Sequence, residues 1–250
     1  MKKVIYTVLT GNYDRLTQPA AVDSSFDYVC FTDRAGKEGV WELREIPWRS
    51  DSQILRARYA KLHPHLLLPE YDLSVFMDAN LCITGTEFYD RISACGDSIA
   101  FLEHPERDCV YEELRYCYLK EKIGTLAAFA HLKRLKGMAM PSHAGLYETN
   151  VLLRRHNLPE VVALDERWWN LLLQSASTRD QLCLTPALFL ERRQPSLLLG
   201  TKLNARNVPY IRYTLHPATG KERVSGKLNL ANLMYNLRLC WHKWMLLWLK

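Results

Sequence analysis

The stretch Ser74-Val75-Phe76-Met77-Asp78-Ala79-Asn80-Leu81 runs from a strand's length of mainly apolar side chains straight into an acid, a small residue and a second oxygen-bearing side chain. A carboxylate beside a core is costly unless something pairs with it. A hard cation is one such partner. Asp and Asn oxygens suit Mg²⁺ or Mn²⁺, ions that keep some of their waters and accept substrate phosphate oxygens as further ligands. Alone, the tripeptide Asp78-Ala79-Asn80 is equally a polar strand end, so its surroundings decide.

Those surroundings alternate. Val4 to Thr10 is a bounded, β-branched run that predicts a buried first strand, with a turn at Gly11-Asn12-Tyr13-Asp14 directly after it. Phe26 to Asp33 predicts a second strand and Trp41 to Pro47 a third. From Asp51 or Ser52 the period changes to that of a helix, which stops before Pro64. Leu73 to Met77 predicts a central strand, Ile99 to Leu102 another, and Gly145 to Arg155 a turn and strand. Residues 110–136, 160–175 and 180–191 have helical composition and spacing. Strands alternating with helices imply an α/β sandwich around a mostly parallel sheet. Such sheets gather ligands at the carboxyl ends of their strands, here Thr10–Asp14, Thr32-Asp33, Asp78–Asn80 and His104.

With 250 residues and 48% hydrophobic content, the chain has material for one large α/β domain. Met-Lys-Lys leads into too short an apolar run for a signal peptide, and no stretch reaches the ~20 apolar residues of a membrane span. Seven scattered cysteines without C-x-x-C pairs read as reduced, cytoplasmic residues, not as a disulfide framework or zinc site. The net charge of +6 is uneven. Residues 201–250 hold nine Lys/Arg against one acid, leaving a slightly acidic body. A basic tail points to phosphate-bearing partners. Its cations are interleaved with long apolar runs, unlike a solvated nucleic-acid-binding arm, so nucleic acid is not expected.

Taken together, the strand-end segments resemble the GT-A glycosyltransferases, most closely a bacterial and plant glycosyltransferase-like family long described only as a domain of unknown function. The resemblance is carried by Tyr6-Thr-Val-Leu-Thr-Gly-Asn-Tyr-Asp14, Asp27-Tyr-Val-Cys-Phe-Thr-Asp33, Arg56-Ala-Arg-Tyr-Ala-Lys61, Pro64-His65 and Phe76-Met-Asp-Ala-Asn80. It continues through His104-Pro-Glu-Arg-Asp-Cys-Val-Tyr-Glu112, Gly145 to Asn157, Trp168-Trp169 and Arg179-Asp-Gln181. It implies a GT-A-like domain over residues 1–225 that moves a sugar from a nucleotide-diphosphate donor, with uridine diphosphate favoured by the related folds. The acceptor would be a saccharide or lipid-linked saccharide.

By the same analogy, Thr7, Thr10, Tyr13 and Asp33 are candidates for the nucleobase and ribose, although Tyr13 is equally a packing residue. Asp78 and Asn80 would hold Mn²⁺ or Mg²⁺ between the two phosphates, from one side of an extended segment. Asn80, standing where the second acid of the usual DxD would be, lowers the site's negative charge. Arg58 and Lys61 share one face of their helix while Arg56 is turned away, so Arg58 and Lys61 are the candidates for phosphate contact. His216-Pro-Ala-Thr-Gly220-Lys221 is faintly similar to a metal- and diphosphate-binding element of family 8 glycosyltransferases. It offers His216 to the metal and Lys221 to the phosphates, or is a plain Gly-Lys turn.

For acceptor chemistry the candidates are Asp180, Asp108 and Glu148, with Asp180 first. It would be a general base or, in a retaining enzyme, a support for the oxocarbenium face, or simply a residue favoured at a helix start. His104 and Glu112 border the acceptor side. Trp168 and Trp169 offer a sugar-stacking platform or a core pair. A relative that binds nucleotide or carbohydrate without catalysis is the alternative to the transferase.

Residues 226–250 place Leu230, Leu233, Met234, Leu237, Trp241, Trp244, Met245 and Trp248 among Lys, Arg and Asn. This is the pattern of an interfacial amphipathic helix, or of a helix packed on the body or on a partner. The first reading implies a peripheral protein on the inner face of the cell membrane, in surface-polysaccharide assembly.

Overall fold

A computed structural model describes residues 1–11 and 15–214. The expectations for Tyr13, His216, Lys221 and the 226–250 helix lie outside those residues. Ten strands are described: β1 (Lys3–Val8), β2 (Phe26–Thr32), β3 (Gly36–Glu38), β4 (Trp41–Glu45), β5 (Leu73–Met77), β6 (Leu81–Ile83), β7 (Ile99–Glu103), β8 (Tyr147–Arg154), β9 (Ser196–Leu197) and β10 (Ile211–Tyr213). Seven helices accompany them: α1 (Gln53–Leu62), α2 (Pro64–Leu67), α3 (Glu87–Ala94), α4 (Val110–Leu119), α5 (Thr125–Gly137), α6 (Pro159–Leu173) and α7 (Gln181–Leu190).

Eight strands form one sheet in the order β3-β4-β2-β1-β5-β8-β7-β9. Six point the same way; β8, inside the sheet, and β3, at one edge, run against them. The fold is therefore α/β with a mostly parallel sheet. Every residue of β5 is buried, as expected of a central strand covered on both faces. Alternation along the strands divides the core. Val4, Tyr6, Phe76, Phe101 and Leu152 meet α1, α6 and α7 on one face. Ile5, Val75, Met77, Ala100 and Leu153 meet α3 and the segment around Leu198–Tyr210 on the other.

Local chemistry sets the boundaries. Ser52 Oγ accepts the Leu55 N–H at 3.2 Å and caps α1, which ends at Leu62 before Pro64. The expected single helix over 110–136 is two. Glu121 takes a positive φ of 56° and Gly124 caps α5, so the chain turns back at 120–124. Asn80 departs from the expected extended segment as well. Leu81 N–H donates to the Asp78 carbonyl at 3.0 Å, making Asp78–Leu81 a turn that leads into β6 and its partner β10. None of the described helices is long and apolar enough to cross a membrane. The six described cysteines are free thiols.

Beneath the α1/α6 layer lies a buried polar network. Arg154 and Asp165, both fully buried, pair at 2.8 Å. The Tyr6 hydroxyl and the Arg154 guanidinium both donate to the Lys61 carbonyl at 2.7 Å. Next to it, buried His156 bonds the Leu68 carbonyl through Nε2 at 2.9 Å. Burial, with the Arg154 charge adding to it, pushes the His156 pKa down to about 4. The unfolded chain therefore binds a proton there, from about pH 6.5 downward, that the fold refuses. Stability is present above the unfolded pKa and is lost as pH falls. His156 alone should cost about 2 kcal/mol between pH 6.5 and 4.5. Urea unfolding of His156→Gln should show a correspondingly shallower acid slope than the parent; an unchanged slope would show that His156 does not titrate in this way.

Candidate functional site

The carboxyl ends of β1 and β5 and the amino end of the antiparallel β8 meet at one edge of the sheet and open into a cavity of about 740 Å³. That volume is ample for a nucleotide-sized ligand. Val8, Leu9 and Thr10 enter it from β1, Asp78 and Ala79 from β5, and Glu148, Thr149 and Asn150 from β8. Gln53, Ile54, Ala57 and Arg58 of α1, His104–Arg107 after β7, Glu113 and Tyr116 of α4, Lys122, Thr178–Gln181 and Arg206 complete the wall. Where β8 passes the end of β5, its register with β7 slips between Phe101 and Leu102. Such an irregularity re-aims side chains at a sheet end.

The floor is organised by Asp180. Its carboxylate accepts the Lys61 ammonium at 2.7 Å and faces the Arg58 guanidinium at 3.2 Å. Arg58 and Lys61 lie three residues apart on α1, and the shared helical face delivers both to the same acid. Burial alone would raise the Asp180 pKa; Arg58, Lys61 and Arg179 outweigh it and hold the carboxyl well below the usual carboxylate range. Such an acid stays ionised and is a poor proton acceptor, which argues against Asp180 as a general base. Lys61 is 1% exposed, its ammonium 4.6 Å from the Phe76 ring centroid, and it does not line the cavity. It is a counter-ion, not the phosphate ligand expected. Arg58 does reach the cavity.

Asp78 lines the cavity, its backbone N–H donating to the Asn150 carbonyl at 2.9 Å. Asn80 does not line it. Its Nδ2 donates to the Thr214 carbonyl at 3.1 Å, while its own carbonyl accepts from the Thr214 N–H and hydroxyl, so Asn80 fastens the chain after β10. Among the described residues no three His, Cys, Asp or Glu side chains are grouped to hold a metal ion. Of the expected pair, only Asp78 stands at the cavity wall.

The other candidates divide. Glu148 is buried at the cavity, held by the Arg206 guanidinium and by Asn150 Nδ2 at 3.2 Å. His104 lines the cavity, but its Nδ1 accepts the backbone N–H groups of Glu106 (3.2 Å) and Arg107 (3.1 Å), and burial pushes its pKa down. That nitrogen is spent on shaping the loop. Thr10 lines the cavity and donates to the Gln53 carbonyl at 3.1 Å, tying the end of β1 to the start of α1. Thr7 is buried within β1 and does not line the cavity. Asp33 accepts Gly11 N–H at 2.8 Å and Arg56 at 2.6 Å, away from the cavity wall.

Asp108 pairs with exposed His143 at 2.6 Å, outside the wall. Glu112 is also outside; its neighbour Glu113 is the buried acid, bonded to Arg107 Nε at 2.8 Å. Trp168 is fully buried and donates its indole N–H to the Asp180 carbonyl at 2.8 Å. Trp169 packs edge-on against Trp48, Tyr59 and His63. Neither offers a stacking platform, because the amphipathic α6 turns both inward.

Arg206 and the role of Arg179 were not read from the sequence. Arg206 sits in a turn-rich segment without period. Arg179 could be noticed only as a cation next to an acid at a helix start. Glu106 and Glu113 pair with Arg107, and Glu148 with Arg206. Among the described residues no ion pair closes on Arg179, Lys122 or Asp78. Nε of Arg58 and of Arg179 are buried atoms without a hydrogen-bond partner.

No family model matches the chain, and no curated protein does. Among solved structures with a similar chain path is the apo structure of WbbM, a bifunctional glycosyltransferase. It is 9% identical with a TM-score of 0.45, over 77% of this chain and 38% of that one. The chain thus spans well under half of that protein, and a likeness this distant carries no conclusion about the site.

Removing one member of a buried ion pair leaves the other charge without compensation, at a cost of roughly 3–5 kcal/mol. Asp180→Asn should therefore lower the unfolding free energy by about that amount in urea, and Lys61→Met combined with Asp180→Leu should recover most of it. Equal losses in the single and double variants would show that the pair is not the organising contact.

Proposed function

We propose that this chain is a glycosyltransferase that takes its sugar from a nucleotide-diphosphate donor bound in the sheet-edge cavity. The carrying observation is the cationic floor. Arg58 and Lys61 contact the Asp180 carboxylate and Arg179 acts on it from nearby, while Asp78 also acts on Lys61, so three cations stand against two acids. Fixed guanidinium groups suit phosphate oxygens, because their planar fork donates paired, charge-assisted hydrogen bonds. Held by a buried acid, they need little rearrangement to stabilise the charge that grows on a departing nucleoside diphosphate. The order of strand-end motifs and the position of the cavity at the carboxyl edge of a mostly parallel sheet support the same reading.

In this reading Asp78 is the carboxylate turned to the reacting end, where it receives a hydroxyl of the sugar or of the acceptor. Uridine diphosphate is the expected donor nucleotide and a saccharide or lipid-linked saccharide the expected acceptor. Asp180 acts by positioning the two arginines and takes no proton. A second reading, a nucleotide- or carbohydrate-binding relative without catalysis, is favoured by the use of Asn80 as a structural tie to Thr214.

Calorimetric titration with a panel of nucleoside diphosphates, with and without Mn²⁺, separates these. Binding of one nucleotide is expected, weakened about 10- to 100-fold by Arg179→Ala, the loss of one charge-assisted contact. Asp78→Ala should bind that nucleotide nearly as well as the parent and lose sugar transfer from the matching donor. Nucleotide binding without any donor turnover in the parent would favour the binding relative. Failure of every nucleotide to bind would overturn the proposal.

A further inference from the structure

The arginines that line the cavity are not held alike. Arg107 is locked: its Nε donates to Glu113 at 2.8 Å, its Nη1 to Glu106 at 2.9 Å, and its guanidinium lies 4.1 Å from the centre of the Tyr116 ring. Arg206 is tied differently. It belongs to the turn segment between β9 and β10, where its backbone N–H donates to Asn204 Oδ1 at 2.8 Å and the Asn204 N–H to Asn207 Oδ1 at 2.8 Å. The backbone is pinned, and the side chain alone reaches across to β8. There its Nη1 donates to Glu148 Oε1, with the guanidinium carbon 5.0 Å from the Tyr213 ring centroid.

The two members of this pair are unequal. The Arg206 side chain is 47% exposed and that of Glu148 only 7%. A half-exposed guanidinium loses little by leaving, because water and competing anions reach it. Buried Glu148 needs a partner more, and it has a second one in Asn150 Nδ2 at 3.2 Å. The Asn150 carbonyl in turn accepts the Asp78 N–H at 2.9 Å, so the pair stands at the Asp78 end of the cavity. Glu148 offers Arg206 one carboxylate oxygen. A phosphate carries more charge and offers oxygens that match the paired donors of a guanidinium.

We infer that Glu148 holds Arg206 as an internal stand-in for phosphate, and that the diphosphate of the donor takes Arg206 from it. This rests on the nucleotide-diphosphate reading of the cavity and goes beyond it by naming the contact that changes hands. Its place at the Asp78 end assigns Arg206 to the phosphate that carries the sugar, with Arg58 and Arg179 on the floor below. The exchange leaves Glu148 with Asn150 alone, an uncovered hydrogen-bond acceptor in the cavity wall. Donor binding thereby prepares the place for a hydroxyl of the acceptor, and the donor binds first.

The test is calorimetric titration of the full chain with nucleoside mono- and diphosphates, for the parent, Arg206→Ala, Glu148→Gln and the double variant. Arg206→Ala should weaken the diphosphate about tenfold or more and leave the monophosphate nearly unchanged. Glu148→Gln keeps the shape of the side chain but removes the competing charge, and should tighten the diphosphate about fivefold. The double variant should bind like Arg206→Ala alone, because the gain acts through Arg206. Arg206→Ala changes a half-exposed side chain and should melt near the parent temperature, so its contrast between mono- and diphosphate reads the inference even where Glu148→Gln lowers stability. Diphosphate binding by the parent that is indifferent to Arg206→Ala would overturn the exchange while sparing the donor site. So would a Glu148→Gln variant that binds no tighter, or a gain of equal size in the Arg206→Ala background, which would report plain charge repulsion. Failure of the parent to bind any nucleotide would overturn the donor site and the exchange together.

Discussion

The Asp180 carboxylate, buried between the Lys61 ammonium and the Arg58 guanidinium, is the contact on which the site depends. It joins the start of α7 to the middle of α1 across the face of the sheet. A buried ion is tolerated only where partners repay its desolvation, and here the repayment is structural. The Lys61 carbonyl is held by Tyr6 and Arg154, Arg154 by Asp165, and the Asp180 carbonyl by the Trp168 indole. Strands β1 and β8 and helices α1, α6 and α7 are thus tied through one polar chain directly beneath the cavity. Displacing any member would move the arginines that line the cavity.

This arrangement separates two tasks that a carboxylate near a reaction centre can perform. An acid that works as a base must have a proton affinity near neutrality; an acid that positions cations must never be protonated. Asp180 has the surroundings of the second kind. Asp78, at the end of β5, lines the cavity and forms no described ion pair. The sheet makes this division possible. The parallel strands deliver Thr10 and Asp78 to one edge, and the reversed β8 brings Glu148 and Asn150 to the same edge.

Much of the fold was legible from local pattern. The uninterrupted apolar run of β5, the alternation around β1 and β2, the Ser52 cap and the stop before Pro64 each carry their physical cause within a few residues. β3, β6, β9 and β10 were not legible, because strands of two or three residues depend on the neighbour they pair with. The break at 120–124 was missed because Lys, Glu and Leu favour helix on both sides, and only Gly124 marks it. In the site, the shared face of Arg58 and Lys61 followed from helical periodicity. Their partner, Asp180, lies 119 residues from Lys61, and no spacing rule reveals such a pairing. Asn80 misled for a related reason: its role is decided by Thr214, a contact 134 residues away.

The most direct test is to follow the Asp180 carboxyl by ¹³C NMR through an acid titration, assigned by comparison with Asp180→Asn. If Lys61, Arg58 and Arg179 hold it as a permanent counter-ion, its shift stays constant from neutrality down to about pH 3, while exposed carboxylates titrate near their ordinary values. A titration of Asp180 at or above the ordinary Asp value would contradict the account. The acid would then be free to exchange protons, and the cationic floor would not be organised around it.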